Sequence, residues 1–206
     1  DETLWECLIL NSDPDSDGAE EHAFDPDKVA AYRKKMLASP LRDGEAVLNE
    51  MTGQRKEEAA DDDMDWDEEV LGRMAGGCDN GRFASYWDDV TEMTHPLILA
   101  KIPVRNPWEV FAYLPFGNWN ECPDTPQLMA VAKYWFEQYG AVPAAMSHDE
   151  LEFDLQSPIP QEKAMELAAE QYGFCPDVID QGAEDATVGA LADGLRQSTV
   201  WYFWWD

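Results

Sequence analysis

A chain of 206 residues that is 45% apolar, with nine Trp, eight Phe and seven Tyr, has ample material for a core, which excludes wholesale disorder. Forty-three acids against 14 bases give a formal charge of −29, which excludes the phosphate-neutralising surface of a nucleic-acid binder and any attraction to anionic membranes. No apolar run approaches the roughly 18–20 residues that span a bilayer.

The opening residues Asp1 to Glu6 lack the basic and apolar regions of a signal peptide. Leu4–Leu10 (LWECLIL) is an apolar run with the length of a buried strand. Asn11 to Gly18 is dense in turn formers and reads as a loop. Asp25-Pro26 then opens a helix, a capping residue followed by Pro at the first helical position, with Val29, Tyr32, Met36 and Leu37 on one face. A second helix is expected from about Asp43 to Ala60, with Ala46, Val47, Glu50 and Met51 along one side. The Gly-rich stretch Gly72–Asn80 reads as a connection.

Leu97–Val104 and Trp108–Leu114 read as two strands around a turn at Arg105-Asn106-Pro107. Gly117–Pro123 is an irregular loop. Asp124 or Thr125 caps the next helix, in which Leu128, Val131, Trp135 and Tyr139 recur at helical spacing until Gly140. Val142–Met146 and Leu151–Leu155 suit a strand pair, the second with strict alternation and so one wet face. A helix from Pro160 to Gly173, a short helical piece after Cys175-Pro176-Asp177, a helix near Val188–Arg196 and an aromatic strand Val200–Trp205 complete the chain. The fold class expected is α+β: an antiparallel or mixed sheet with helices packed on it in residues 96–206. An acidic, mostly helical region with one early strand occupies residues 1–95.

Charge is concentrated in one run. From Glu57 to Glu69 nine of 13 residues are acidic and none is basic. Like-charge blocks repel and serve as interaction surface or stay disordered. A basic partner is favoured, with electrostatic steering of the encounter. The plainer reading is a solvated segment that keeps the protein soluble.

Candidate chemistry is sparse. Asp13-x-Asp15-x-Asp17-Gly18 opens like an EF-hand calcium loop, but Phe24 stands where the twelfth-position Glu belongs, so an Asp-rich turn is the better reading. His22, His95 and His148 lack ligand spacing, and neither metal nor cofactor is expected. Cys7, Cys78, Cys122 and Cys175 form no Cys-x-x-Cys pair and read as reduced thiols of a cytoplasmic protein. Cys122 and Cys175 each precede Pro, and a packed helix entrance explains them more simply than a nucleophile activated by His148. Glu150, Glu152 and Asp154 share one strand face and read as its solvated side rather than as a glycosidase-type carboxylate pair.

The pieces GNWNECP (Gly117–Pro123), KYWFEQYGA (Lys133–Ala141), AAEQYGFCPDVIDQG (Ala168–Gly182) and WYFWWD (Trp201–Asp206) carry a resemblance. In that order and spacing they resemble the bacterial domain-of-unknown-function family numbered four thousand two hundred fifty-three, over roughly Ala112 to Asp206. Members usually show Gly-Gly before Trp-Asn, where this chain has Phe116-Gly117-Asn118. The resemblance carries no established enzymatic activity. It implies an immunity protein of a polymorphic-toxin or type VI secretion system, because some members look like such proteins, and it assigns no residue to that role.

The expected function is therefore binding of a cognate bacterial toxin with a basic cleft, with no direct nucleic acid and no membrane. The candidate contact residues are Asp61, Asp62, Asp63, Asp65, Trp66, Asp67 and Glu68 of the acidic block, with Asn118, Trp119 and Asn120 of the loop. Two rivals are an enzyme using that loop with Cys175, Asp177 and Gln181, and an acidic nucleic-acid mimic aimed at a DNA-binding protein.

Overall fold

Helix starts in this chain are written by its side chains, and the computed structural model, which describes residues 2–13, 24–88, 90–182 and 186–206, follows them closely. The expected calcium-like turn at Asp15, Asp17 and Gly18 lies outside the described residues. Helix α1 spans Glu2–Ser12, α2 Pro26–Ala38 and α3 Gly44–Asp61. The Asp25 carboxylate accepts the Asp27 and Lys28 N–H groups, and Asp43 does the same for Glu45 and Ala46. A π-helical turn, Trp66–Leu71, follows α3. A two-stranded hairpin, β1 (Trp87–Asp88) and β2 (Met93–Thr94), precedes the short helix α4, Val110–Tyr113. Helix α5, Thr125–Tyr139, opens on a reciprocal capping box between Asp124 and Gln127 and closes on Gly140 at φ 72°. Then come β3 (Val142–Met146), β4 (Glu150–Asp154), α6 (Gln161–Phe174), α7 (Asp177–Asp180), α8 (Val188–Leu195) and β5 (Val200–Trp204).

The fold is α+β, with helices packed on an antiparallel sheet in the order β3-β4-β5. Leu151 pairs with Phe203 and Phe153 with Trp201, so the inward face of β4 and β5 is aromatic. Trp135 from α5 sits at the centre of that layer. It meets Phe153, Phe174 and Trp201 edge-on at 5.0–5.6 Å and stacks on Phe203 at 5.6 Å. Its indole N–H donates to Glu170 at 2.9 Å, and the Tyr134 hydroxyl donates to the other oxygen of the same carboxylate at 3.1 Å. Val47, Leu48 and Ala59 of α3 join the same core, which is thus continuous across residue 95.

Several expectations are corrected. Leu4–Leu10 is helical, not a strand: an apolar run this short does not fix its own period. Asn11 and Ser12, read as loop, are its last turn, where the Asn11 amide donates to Cys7 O at 2.9 Å and to Gly117 O at 3.1 Å. Leu97–Val104 pairs with no described strand, and Trp108–Leu114 is mostly helical. Pro107 opens that helical stretch, and Glu109 secures its entrance by accepting from Arg105 N and Asn106 Nδ2, both at 2.8 Å. Leu37 is exposed rather than inward. Gly173 does not end α6 but lies within it, where a Cβ would come within 2.6 Å of Thr52 Oγ1; it lets α6 approach α3.

The largest correction concerns Glu152, read as solvated and found 0% exposed. Residues 80–88 cover the outer face of β4, and the Glu152 carboxylate accepts Ala84 N at 2.7 Å, Ser85 N at 3.1 Å and the Ser85 hydroxyl. Three donors satisfy a buried carboxylate that pairs with no described cation.

Candidate functional site

The acidic block occupies the last turns of α3, the turn beyond it and the π-helical turn. Asp61, Asp62, Asp63, Asp67 and Glu68 are exposed, and no described cation pairs with any of them. Asp65 is engaged locally: its carboxylate accepts Asp67 N at 2.9 Å and Glu68 N at 2.8 Å, while Glu69 accepts Asp65 N at 2.7 Å. Trp66 is half-buried, its ring 6.2 Å from that of Tyr172, with the Lys56 ammonium 5.3 Å from its centroid. The block is therefore two helical segments joined by a turn, with exposed carboxylates, and Trp66 packs it against α6.

The loop Gly117–Pro123 stands beside it. Gly117 takes φ 72°, and a Cβ there would come within 2.3 Å of Pro123 O, so this position requires glycine. Asn118 and Asn120, both at positive φ, are exposed on either side of half-buried Trp119. The Asn120 amide donates to Asp206 O; the Asp206 N–H donates to Asp177 at 3.0 Å, and Gln181 donates to the Asp206 carboxylate at 3.3 Å. Asp177 and Gln181, named for the rival enzymatic reading, thus tie the aromatic strand's end to this loop.

Sequence treated the block and the loop as separate surfaces, and Arg55 joins them. Arg55 lies in line with Val47, Leu48, Met51 and Ala59 on the inward stripe of α3 and is only 8% exposed. Its Nη1 pairs with Glu58 at 2.8 Å and with Glu121 of the loop at 3.0 Å. Beside this bridge, between α3, the loop and the end of α6, opens a cleft of about 310 Å³ lined by Met51, Gln54, Arg55, Asn120, Glu121 and Phe174, among others. The helical period of α3 was the signal for Arg55, since it falls four residues after Met51 and four before Ala59.

Asp180 accepts the Tyr172 hydroxyl at 3.1 Å, and burial pushes its carboxyl above the usual range, opposed by that hydrogen bond and by Arg55 and reinforced by Asp177 and Glu121. Glu170 is raised chiefly by burial too, against the Trp135 and Tyr134 hydrogen bonds. A carboxyl raised in the folded state contributes stability that is complete below its unfolded pKa, about 4, and lost as pH rises through the folded value. Asp193, lowered by the Arg196 guanidinium, and Asp88, lowered by hydrogen bonds from Thr91, act oppositely, their contribution vanishing as pH falls through the depressed folded values. With self-repulsion of the −29 chain added, melting temperature by calorimetry is expected to be higher at about pH 5.5 than at about pH 8. Stability rising toward pH 8 would contradict this balance.

The thiols are packed rather than primed. Cys122 and Cys175 are buried, and burial pushes both well up, so both stay protonated. Cys175 Sγ contacts Trp204 O at 3.0 Å, and the nearest charged partner of the His148 ring is Asp149 at 3.2 Å. Among the described residues no group of three His, Cys, Asp or Glu side chains could hold a metal ion, and no helix is long and apolar enough to cross a membrane.

The sequence profile of the domain of unknown function DUF4253 matches residues 98–206, more than half of the chain. The chain belongs to that family. DUF4253 thus covers the sheet, helices α4 to α8 and the Gly117–Pro123 loop, while the acidic block lies before the matched region. No curated protein and no solved structure matches the chain.

Proposed function

We propose that this DUF4253 protein is an immunity protein that binds a cognate bacterial toxin, of the kind delivered by type VI or polymorphic toxin systems, and occludes its active site. The observation that carries the reading is the Arg55 bridge, which ties Glu58 of the acidic block to Glu121 of the loop that holds Asn118, Trp119 and Asn120, so that the two candidate surfaces stand side by side. Carboxylates on such a face occupy the positions that substrate phosphates take in a basic nuclease cleft. Half-buried Trp119, presented between two exposed amides, supplies the rigid apolar contact on which interface energy concentrates. The toxin acts inside the producing cell, so this function belongs in the cytoplasm.

The test begins with the partner recovered from the native cell. If long-range attraction assists docking, its association rate in stopped flow falls steeply as ionic strength rises, because the Debye length is only about 8 Å at 0.15 M. Dissociation changes much less. An association rate indifferent to salt would remove the acidic face from the interface.

A further inference from the structure

The cleft beside Arg55 holds two features that docking of a basic protein does not use. The first is an unspent guanidinium edge. Both ion pairs of Arg55 run through Nη1, and Nε, buried with the rest of the side chain, has no hydrogen-bond partner among the described residues. The Nε side of a guanidinium presents parallel N–H groups that match a carboxylate. The second feature is a surplus of negative charge next to it. Glu121 lines the cleft with its side chain 52% exposed, and the charges of Glu121 and Asp177 both act on the Asp180 carboxyl, which accepts the Tyr172 hydroxyl at 3.1 Å.

We infer that this cleft binds a small zwitterion, an α-amino acid or similar amino-carboxylate. Its carboxylate takes the free edge of Arg55, and its ammonium takes Glu121. A free anion would meet the field of a −29 chain, and a simple amine would leave the Arg55 edge unpaired in the protein interior, whereas a zwitterion avoids both penalties. On binding, Glu121 exchanges the Arg55 guanidinium for the ligand's ammonium, a short movement for a half-exposed side chain. Met51 and Phe174 offer an apolar wall for a side chain, and about 310 Å³ is at the small end of ligand pockets, which run upward from roughly 300 Å³. The inference is independent of toxin binding, and its test contains no partner protein.

The experiment is a titration of the ¹⁵N-labelled protein with L-leucine, L-leucinamide and N-acetyl-L-leucine at matched ionic strength, followed at the Arg55 Nε–H and Asn120 side-chain resonances. L-leucine is expected to shift both saturably, and blocking either end should weaken binding about tenfold or more. Glu121→Gln, at an exposed position, should fold normally and weaken L-leucine by a similar factor, while Arg55→Met, checked for folding by circular dichroism, should abolish it. L-leucinamide binding as tightly as L-leucine would reduce the site to general attraction of cations and overturn the inference. Absence of a saturable shift with L-leucine would overturn it as well.

Discussion

Trp135→Ala is expected to destabilise the protein by about 3–5 kcal/mol, the range for removing a large aromatic from a packed core. The indole touches Phe153, Phe174, Trp201 and Phe203, which together line the inner face of β4 and β5 and the end of α6. Its removal leaves a void that aromatic neighbours on three elements cannot collapse into without losing their own geometry. It also strips one donor from Glu170, a carboxylate already raised by burial. Against a typical total of about 5–15 kcal/mol, the loss is a large fraction of what holds the domain folded. Trp135→Phe keeps a ring but not the donor and should cost less, about 1–3 kcal/mol. Urea unfolding of the two variants gives both numbers. A Trp135→Ala cost below about 1 kcal/mol would mean that the aromatic layer is not the centre of the core.

Replacing Asp62, Asp63, Asp65 and Asp67 together by Asn has the opposite signature, a large effect on association and none or a favourable one on folding. Two like charges 4 Å apart cost about 1 kcal/mol even at the dielectric of water, so the block opposes folding. Asn retains what these positions do structurally: it caps a helix as well as Asp does at position 65, and it tolerates the φ of 59° at position 63. Thermal stability should therefore be preserved or raised, while the association rate with the proposed toxin partner should fall. A variant that unfolds would show the carboxylates to be structural, and one that associates unchanged would move the interface elsewhere.

The sequence was most legible where one residue decides one thing. Asp25-Pro26, Asp43 and Asp124 announce helix starts, and Gly140 announces a stop, because each satisfies a specific orphan backbone group or conformation. Short apolar runs were illegible: LWECLIL and Trp108–Leu114 became helices once neighbouring elements supplied a helical environment. Strand alternation in β4 was read correctly but its polar face was assigned to water, because nothing local reveals that residues 80–88 fold back to donate into Glu152. The candidate site was legible as two pieces, the block and the loop. Their junction depends on Arg55 reaching Glu121, a contact between residues 66 positions apart that no local pattern encodes.

The central claim, that the acidic face protects by covering a toxin, is tested most directly by growth of cells that express the active partner together with each form of this protein. Wild type should restore growth, and the fourfold Asn variant should fail to do so although it remains folded and abundant. The same variant should leave toxin-free cells unaffected. Full protection by the folded fourfold variant would contradict the account, whatever the binding of other surfaces.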